Sequence, residues 1–75
     1  MYELEFVYQD GTSLKYACVD SVWAKSDTDV FEMVGDSVLE LFHLEPTFVV
    51  VCIGAKRCQI PLENLYAVAA RRMDD

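Results

Sequence analysis

The chain has 75 residues, 53% of them hydrophobic, and a formal net charge of −7 at pH 7. So short a chain has room for one small core, so we expect residues 1–75 to form a single domain. Its apolar content argues against disorder. Its acidic balance argues against direct binding to nucleic acid, which needs a basic surface.

The first segment alternates, with Tyr2, Leu4, Phe6 and Tyr8 on one face and Glu3 and Glu5 on the other, as in the half-buried first strand of a β-hairpin. Gln9-Asp10-Gly11 suits a three-residue loop, a type I turn followed by a left-handed glycine. This loop predicts a register that pairs Tyr8 with Thr12, Phe6 with Leu14, Leu4 with Tyr16 and Tyr2 with Cys18. Residues 18–25 are expected to continue the second strand or to form a short extra strand.

Residues 28–44 are predicted to form an amphipathic α-helix. At 100° per residue their apolar side chains share one arc, and the acids and His43 share the opposite arc, with only Leu39 out of place. Ser26 or Thr28 can cap the start of this helix, and Pro46 ends it.

The competing interpretation breaks the same segment at Gly35 into a hairpin that pairs Val30–Val34 with Ser37–Phe42. The glycine and three valines favour it, since both residue types lower helix propensity. The hairpin would, however, place Glu32 and Glu40 on faces shared with large apolar groups, so we favour the helix.

The last third of the chain reads as β-structure. The continuous apolar run Phe48–Ile53 is typical of a strand buried on both faces. Residues 54–56 turn the chain, and Arg57–Ile60 return as the hairpin partner. A break at residues 61–64, predicted as one turn of 3₁₀ helix, precedes a last strand at residues 65–69.

These elements predict an α+β fold, a small two-layer domain in the order β-hairpin, α-helix, β-hairpin, β-strand. One helix would cover a mostly antiparallel sheet. The alternative is an all-β, SH3-like small barrel, because Ile60–Leu65 resembles the strand–turn–strand end of such barrels.

A candidate interaction surface follows from the predicted helix. Glu32, Asp36 and Glu40 would lie at i, i+4 and i+8 on its exposed face, with His43 beside them. No lysine or arginine offsets their repulsion, about 0.2–0.5 kcal/mol for each like-charged pair, and a basic partner would remove it. An ordinary solvated face is the alternative. Trp23 joins this surface because tryptophan is enriched at interfaces.

No catalytic, cofactor-binding or metal-binding residues are predicted. The single histidine, His43, falls on the exposed arc, away from Cys18 and Cys52, so no thiol–imidazole pair is expected. Five residues separate Cys52 from Cys58, where zinc sites have two to four. The three glycines are isolated and make no phosphate-binding loop.

A cytoplasmic location is expected. Residues 1–5 lack the basic start of a signal peptide, and the longest apolar run is too short to cross a bilayer. An odd number of cysteines, Cys18, Cys52 and Cys58, without a CxxC pair predicts reduced thiols. No membrane partner is expected.

The sequence therefore predicts a non-enzymatic protein-interaction module, or a small inhibitor or accessory protein, that binds a basic protein through acidic surface. In size and charge it resembles small acidic accessory and inhibitor proteins of bacteria and their phages. One alternative is a structural subunit of a homo-oligomer, such as a homodimer, held by apolar surface. Another is an acidic mimic of nucleic acid that occupies a basic groove.

Overall fold

The computed structural model describes residues 1–27, 29–44 and 46–73, which form seven strands and one 3₁₀ helix. The elements are β1 (Tyr2–Tyr8), β2 (Ser13–Val19), β3 (Ser21–Lys25), β4 (Val30–Val34), the 3₁₀ helix (Gly35–Leu44), β5 (Phe48–Ile53), β6 (Lys56–Ile60) and β7 (Leu65–Arg72). Strands β2-β1-β7 form a three-stranded sheet, and β4-β3-β5-β6 form a four-stranded sheet. All neighbouring strands are antiparallel.

The fold is therefore all-β, and the predicted α+β class with one long α-helix is wrong. The all-β class of the alternative prediction is confirmed. No helix among the described residues is both long and apolar enough to cross a lipid bilayer.

The loop of the N-terminal hairpin forms as predicted. The Tyr8 N–H donates to the Thr12 carbonyl at 2.9 Å, and the Gly11 N–H donates to the Tyr8 carbonyl at 3.0 Å. Gly11 has a φ of 91°, a conformation that side chains with a Cβ rarely adopt. Local turn chemistry therefore determines this connection.

The hairpin register is confirmed in its middle and wrong at its far end. Phe6 pairs with Leu14 and Leu4 with Tyr16, but Tyr2 pairs with Val19 instead of Cys18. The register shifts between Tyr2 and Leu4, and Cys18 takes a left-handed φ of 59°. This irregularity bends the chain where β2 leaves the three-stranded sheet and, one residue after it ends, β3 enters the other.

The segment predicted as a helix instead contains a strand and a 3₁₀ helix in its described residues 29–44. Strand β4 pairs with β3, so the competing hairpin is also wrong, because it paired residues 30–34 with residues 37–42. Ser26, a predicted cap, donates its N–H to the Asp29 carbonyl at 3.0 Å and closes the β3–β4 turn. Thr28, the other predicted cap, lies outside the described residues.

Two features explain why residues 30–44 do not form one α-helix: the conformation of Gly35 and the pairing of β4 with β3. Gly35 has a φ of 59°, which cannot continue a right-handed α-helix and so separates β4 from the 3₁₀ helix. The β-branched Val30 and Val34 suit a strand. Pairing with β3 satisfies the backbone groups of Phe31 and Met33 and buries the Met33 side chain against the core.

The three strands predicted after residue 47 are present, and two of them, β6 and β7, are longer than predicted. Gly54, with a φ of 58°, and Ala55 form the turn, so β6 begins at Lys56 instead of Arg57. Strand β7 runs on to Arg72, beyond the predicted end at residue 69, and pairs with β1. Residues 61–64 form no 3₁₀ helix; a turn closes there with a bond from the Leu65 N–H to the Leu62 carbonyl at 3.2 Å.

One hydrophobic core joins both sheets and the 3₁₀ helix. Its side chains come from inward positions of the strands and from one side of the helix, and the most deeply buried are Leu4, Phe6, Val19, Val22, Val38, Leu41, Val49 and Val51. Because the core lies on one face of the four-stranded sheet, the other face is left outside.

Candidate interaction surface

The second face of the four-stranded sheet, which we call the outer face, carries alternate residues of its strands. These residues are Ser21, Trp23 and Lys25 on β3, Val30, Glu32 and Val34 on β4, Phe48, Val50 and Cys52 on β5, and Arg57 and Gln59 on β6. Residues between them, such as Val22 and Val51, point to the core and are fully buried. Strand alternation therefore separates most core residues from surface residues; the exceptions are Phe31, which is exposed on the inner face, and Cys52, which is buried on the outer face.

Trp23 lies at the centre of the outer face. Strand pairing places it between Glu32 on β4 and Val50 on β5. Its side chain is 40% exposed, and Val30 and Phe48 on the same face are 62% and 40% exposed. An exposed apolar group of this size, centred on a tryptophan, is typical of surfaces that bind other molecules.

The β4 side of the outer face is acidic. Asp27, Asp29 and Glu32 are exposed in the β3–β4 hairpin, whose one described cation is Lys25. Within the described residues no cation lies within ion-pair distance of these three carboxylates. The other edge of the same sheet, formed by β6, is basic, because β6 begins with Lys56 and Arg57.

Two acids outside this hairpin, Glu3 and Asp36, have cationic partners. Glu3 on β1 lies 2.9 Å from Arg71 Nε on β7 and 3.7 Å from Lys15 Nζ on β2. The bond from Arg71 is the main reason that the pKa of Glu3 lies below its usual value. Glu3 is therefore neutralised by neighbouring cations, whereas the acids of the β3–β4 hairpin form no ion pair with the described residues.

The predicted site residues do not form a single helical stripe. Glu32 lies on β4 and faces Trp23, so the structure brings these two together. Asp36 and Glu40 lie on the 3₁₀ helix, where both are exposed. The backbone of His43 belongs to the same helix, and its side chain lies outside the described part of the structure. The stripe depended on an α-helix over residues 28–44, which the protein lacks.

Asp36 joins the 3₁₀ helix to the three-stranded sheet. Its Oδ1 accepts a hydrogen bond from the Tyr2 hydroxyl at 2.7 Å and another from Arg72 Nη2. The Tyr2 bond, followed by that from Arg72, lowers the pKa of Asp36 from its ordinary value of 3.8. The same contact raises the pKa of Tyr2. The carboxylate of Asp36 is thus already bound by Tyr2 and Arg72 of the same chain.

Replacing Asp36 with asparagine is expected to reduce the loss of stability in acid. Because the folded-state pKa is lowered, the carboxylate stabilises the fold above its unfolded-state pKa, and this contribution is lost as the pH falls through the folded-state value. Urea unfolding from neutral pH to about pH 2 measures the difference. Asp27→Asn is the control, and equal pH dependence of the two variants would contradict the role given to Asp36.

A groove of about 400 Å³ opens between the 3₁₀ helix, β5 and β7. Its lining is mostly apolar and includes Leu41, Pro46, Val49, Leu65 and Val68, and no acid, histidine or cysteine is among its described lining residues. The described residues also contain no cluster of three or more histidines, cysteines or acids that could hold a metal ion. All three cysteines are free, and Cys18 is exposed.

Sequence reasoning missed the apolar part of the outer face. Val30 and Val34 were assigned to the buried arc of the predicted helix, and Phe48 to a strand buried on both faces. The signal that could have found Val30 and Val34 is the period of a strand, since residues 30, 32 and 34 share one face of β4. That pattern becomes informative once β4 is recognised as a strand.

No protein-family model matches this chain, and it has no significant match among curated proteins or among solved structures.

Proposed function

We propose that this protein is a non-enzymatic interaction module that binds a basic protein through the outer face, with Trp23 as the anchor. The observation that carries this proposal is the position of Trp23, which is 40% exposed at the centre of an apolar group of side chains. Tryptophans of this kind often supply a large part of the binding energy when a partner covers them.

The charge of the neighbouring hairpin supports a basic partner. Asp27, Asp29 and Glu32 border the apolar centre, and none of them forms an ion pair with a described cation, Lys25 included. A partner with lysine or arginine at the margin of its own apolar patch would match both features of this surface. Acids at the margin would speed encounter with such a partner and exclude acidic competitors.

Trp23→Ala is expected to weaken partner binding by about 30-fold or more, the loss typical of a central anchor. A pull-down with the immobilised protein, eluted at high salt and identified by mass spectrometry, supplies the candidate partner. The identified protein is then purified and titrated calorimetrically with wild type and Trp23→Ala.

Tyr66→Ala is the matched control, because Tyr66 is an exposed aromatic residue on β7, in the other sheet. We expect it to bind as the wild type does. Equal affinities for wild type and Trp23→Ala, or a partner that binds equally well at low and high salt, would contradict the proposal.

A further inference from the structure

Two strands of the four-stranded sheet have an open edge. Strand β4 pairs with β3 on one side, and β6 pairs with β5 on one side. Among the described residues no strand pairs with their other sides. Open edges present backbone donors and acceptors to any extended chain that reaches them.

The directions of these backbone groups follow from the strand pairing. The bond from Ser26 N–H to the Asp29 carbonyl fixes the alternation in the β3–β4 ladder. Phe31 and Met33 therefore bond to β3, and Val30, Glu32 and Val34 direct their N–H and C=O groups outward. Consistent with this, the outward Val34 carbonyl accepts a bond from the Ser37 hydroxyl at 2.6 Å.

The same reasoning applies to β6. A two-residue turn at Gly54-Ala55 joins the paired residues Ile53 and Lys56, which makes them a hydrogen-bonded pair. Arg57 and Gln59 then direct their backbone groups away from β5. Their side chains lie on the outer face, as Glu32 does on β4.

The two edges are complementary in direction. An antiparallel sheet with an even number of strands ends in strands that run in opposite directions. A second copy placed beside the first in the same orientation therefore sets its β6 antiparallel to β4. No face is reversed, so the outer faces of both copies lie on the same side.

The two edges are also complementary in charge. The β4 edge carries Glu32 with Asp27 and Asp29 near it, and the β6 edge carries Lys56 and Arg57. Pairing β4 with a second β4 brings the acids of two hairpins together, and the register centred on residue 32 places Glu32 opposite Glu32, which is unfavourable. Charge therefore favours β4 against β6 over β4 against itself.

We propose that copies of this chain associate head to tail, with β4 of one copy paired to β6 of the next and Glu32 opposite Arg57 of the neighbouring copy. In this register Phe31 lies opposite Cys58, and Val30 opposite Gln59. Arg57 Nη1 donates to the Gly54 and Lys56 carbonyls of its own chain, and its other nitrogens make no bond to the described residues. Such an interface uses different patches on the two copies, so it builds a ring or a filament.

A charge-reversal cycle tests this association. Glu32→Lys and Arg57→Glu are each expected to lower the association constant by roughly three- to ten-fold, and the double variant to restore it. The double variant keeps the net charge of −7, so overall repulsion is unchanged. Sedimentation velocity over a range of concentrations measures all four proteins.

Glu63→Lys controls for net charge, because it makes the same charge change at an exposed residue after β6. A less negative chain repels itself less, so Glu63→Lys is expected to associate at least as well as wild type. Weaker association of Glu32→Lys would then identify a local contact. Equal behaviour of Glu32→Lys and Glu63→Lys would overturn the proposal.

Gln59→Pro tests the backbone contact. It removes an N–H that points outward, so the bonds of β6 to β5 remain. We expect a folded monomer by circular dichroism and sedimentation. A wild-type protein that stays monomeric at every concentration would overturn the head-to-tail proposal and leave the Trp23 titration, which needs only a heterologous partner, to decide the proposed function separately.

Discussion

Phe6→Ala is expected to lower the free energy of unfolding by about 3–5 kcal/mol. Phe6 is completely buried on β1, the central strand of the three-stranded sheet. Its ring packs edge-on against that of Tyr16, with the two ring centroids 6.2 Å apart. Truncation removes apolar contacts and leaves a cavity that the two neighbouring strands cannot easily fill. A loss of this size is a large part of the total stability of a small domain.

Urea unfolding followed by circular dichroism measures the Phe6 effect. Phe48→Ala is the matched control, because it removes the same ring from a side chain that is 40% exposed on the outer face. We expect the control to cost less than about 1.5 kcal/mol. Similar losses for both variants would contradict the assignment of Phe6 to the core and Phe48 to the surface.

Leu41→Ala is expected to have the second largest effect, a loss of about 2–5 kcal/mol. Leu41 is 1% exposed on the 3₁₀ helix, and it packs into the core formed by both sheets. Because the helix covers this end of the core, truncating Leu41, which with Val38 is one of its deeply buried side chains, exposes apolar side chains of β5 and β7 to solvent.

Leu39→Ala makes the same change two residues earlier at a half-buried position and is the control for Leu41→Ala. We expect its cost to be less than half as large, since its side chain loses fewer buried contacts. The same denaturant series measures both. A 3₁₀ helix that merely lies on the surface would give two small and equal losses.

Local sequence was sufficient where turn chemistry and strand alternation agreed. Gln9-Asp10-Gly11 determined its own loop type, and the alternation of Leu4 and Phe6 with Glu3 and Glu5 determined which side faces the core. The register error at Tyr2 arose because Cys18 interrupts the ladder, and nothing in its neighbours marks a cysteine for a left-handed conformation.

The helix prediction failed because five residues, 30–34, are too few to distinguish the period of an α-helix from that of a β-strand. Apolar residues on both sides of Glu32 fit one arc of a helix and also a strand whose two faces are both partly apolar. Gly35 was the informative residue, because its left-handed conformation ends β4. Residues 30–34 form a strand and not a helix because β3, which lies beside them, pairs with their backbone.

The candidate site could be predicted in part. Trp23 and Glu32 were both selected from the sequence, and strand pairing brings them side by side. Their neighbours Val30, Val34 and Phe48 could not be selected, because exposure of an apolar strand residue depends on which face the rest of the chain covers. Asp36 was selected for its charge, but Tyr2 and Arg72 come from distant parts of the chain to bind it.

Amide hydrogen exchange of residues 30–34, measured by NMR in dilute solution, tests most directly that β4 is a strand paired on one side only. We predict slow exchange for Phe31 and Met33, which bond to β3, and faster exchange for Val30 and Glu32, whose N–H groups point outward. A close contact between the Hα atoms of Trp23 and Glu32 should accompany this pattern. Equally slow exchange of Glu32, Met33 and Val34, as an α-helix over residues 28–44 would give, would contradict the fold, the outer face and the edge pairing together.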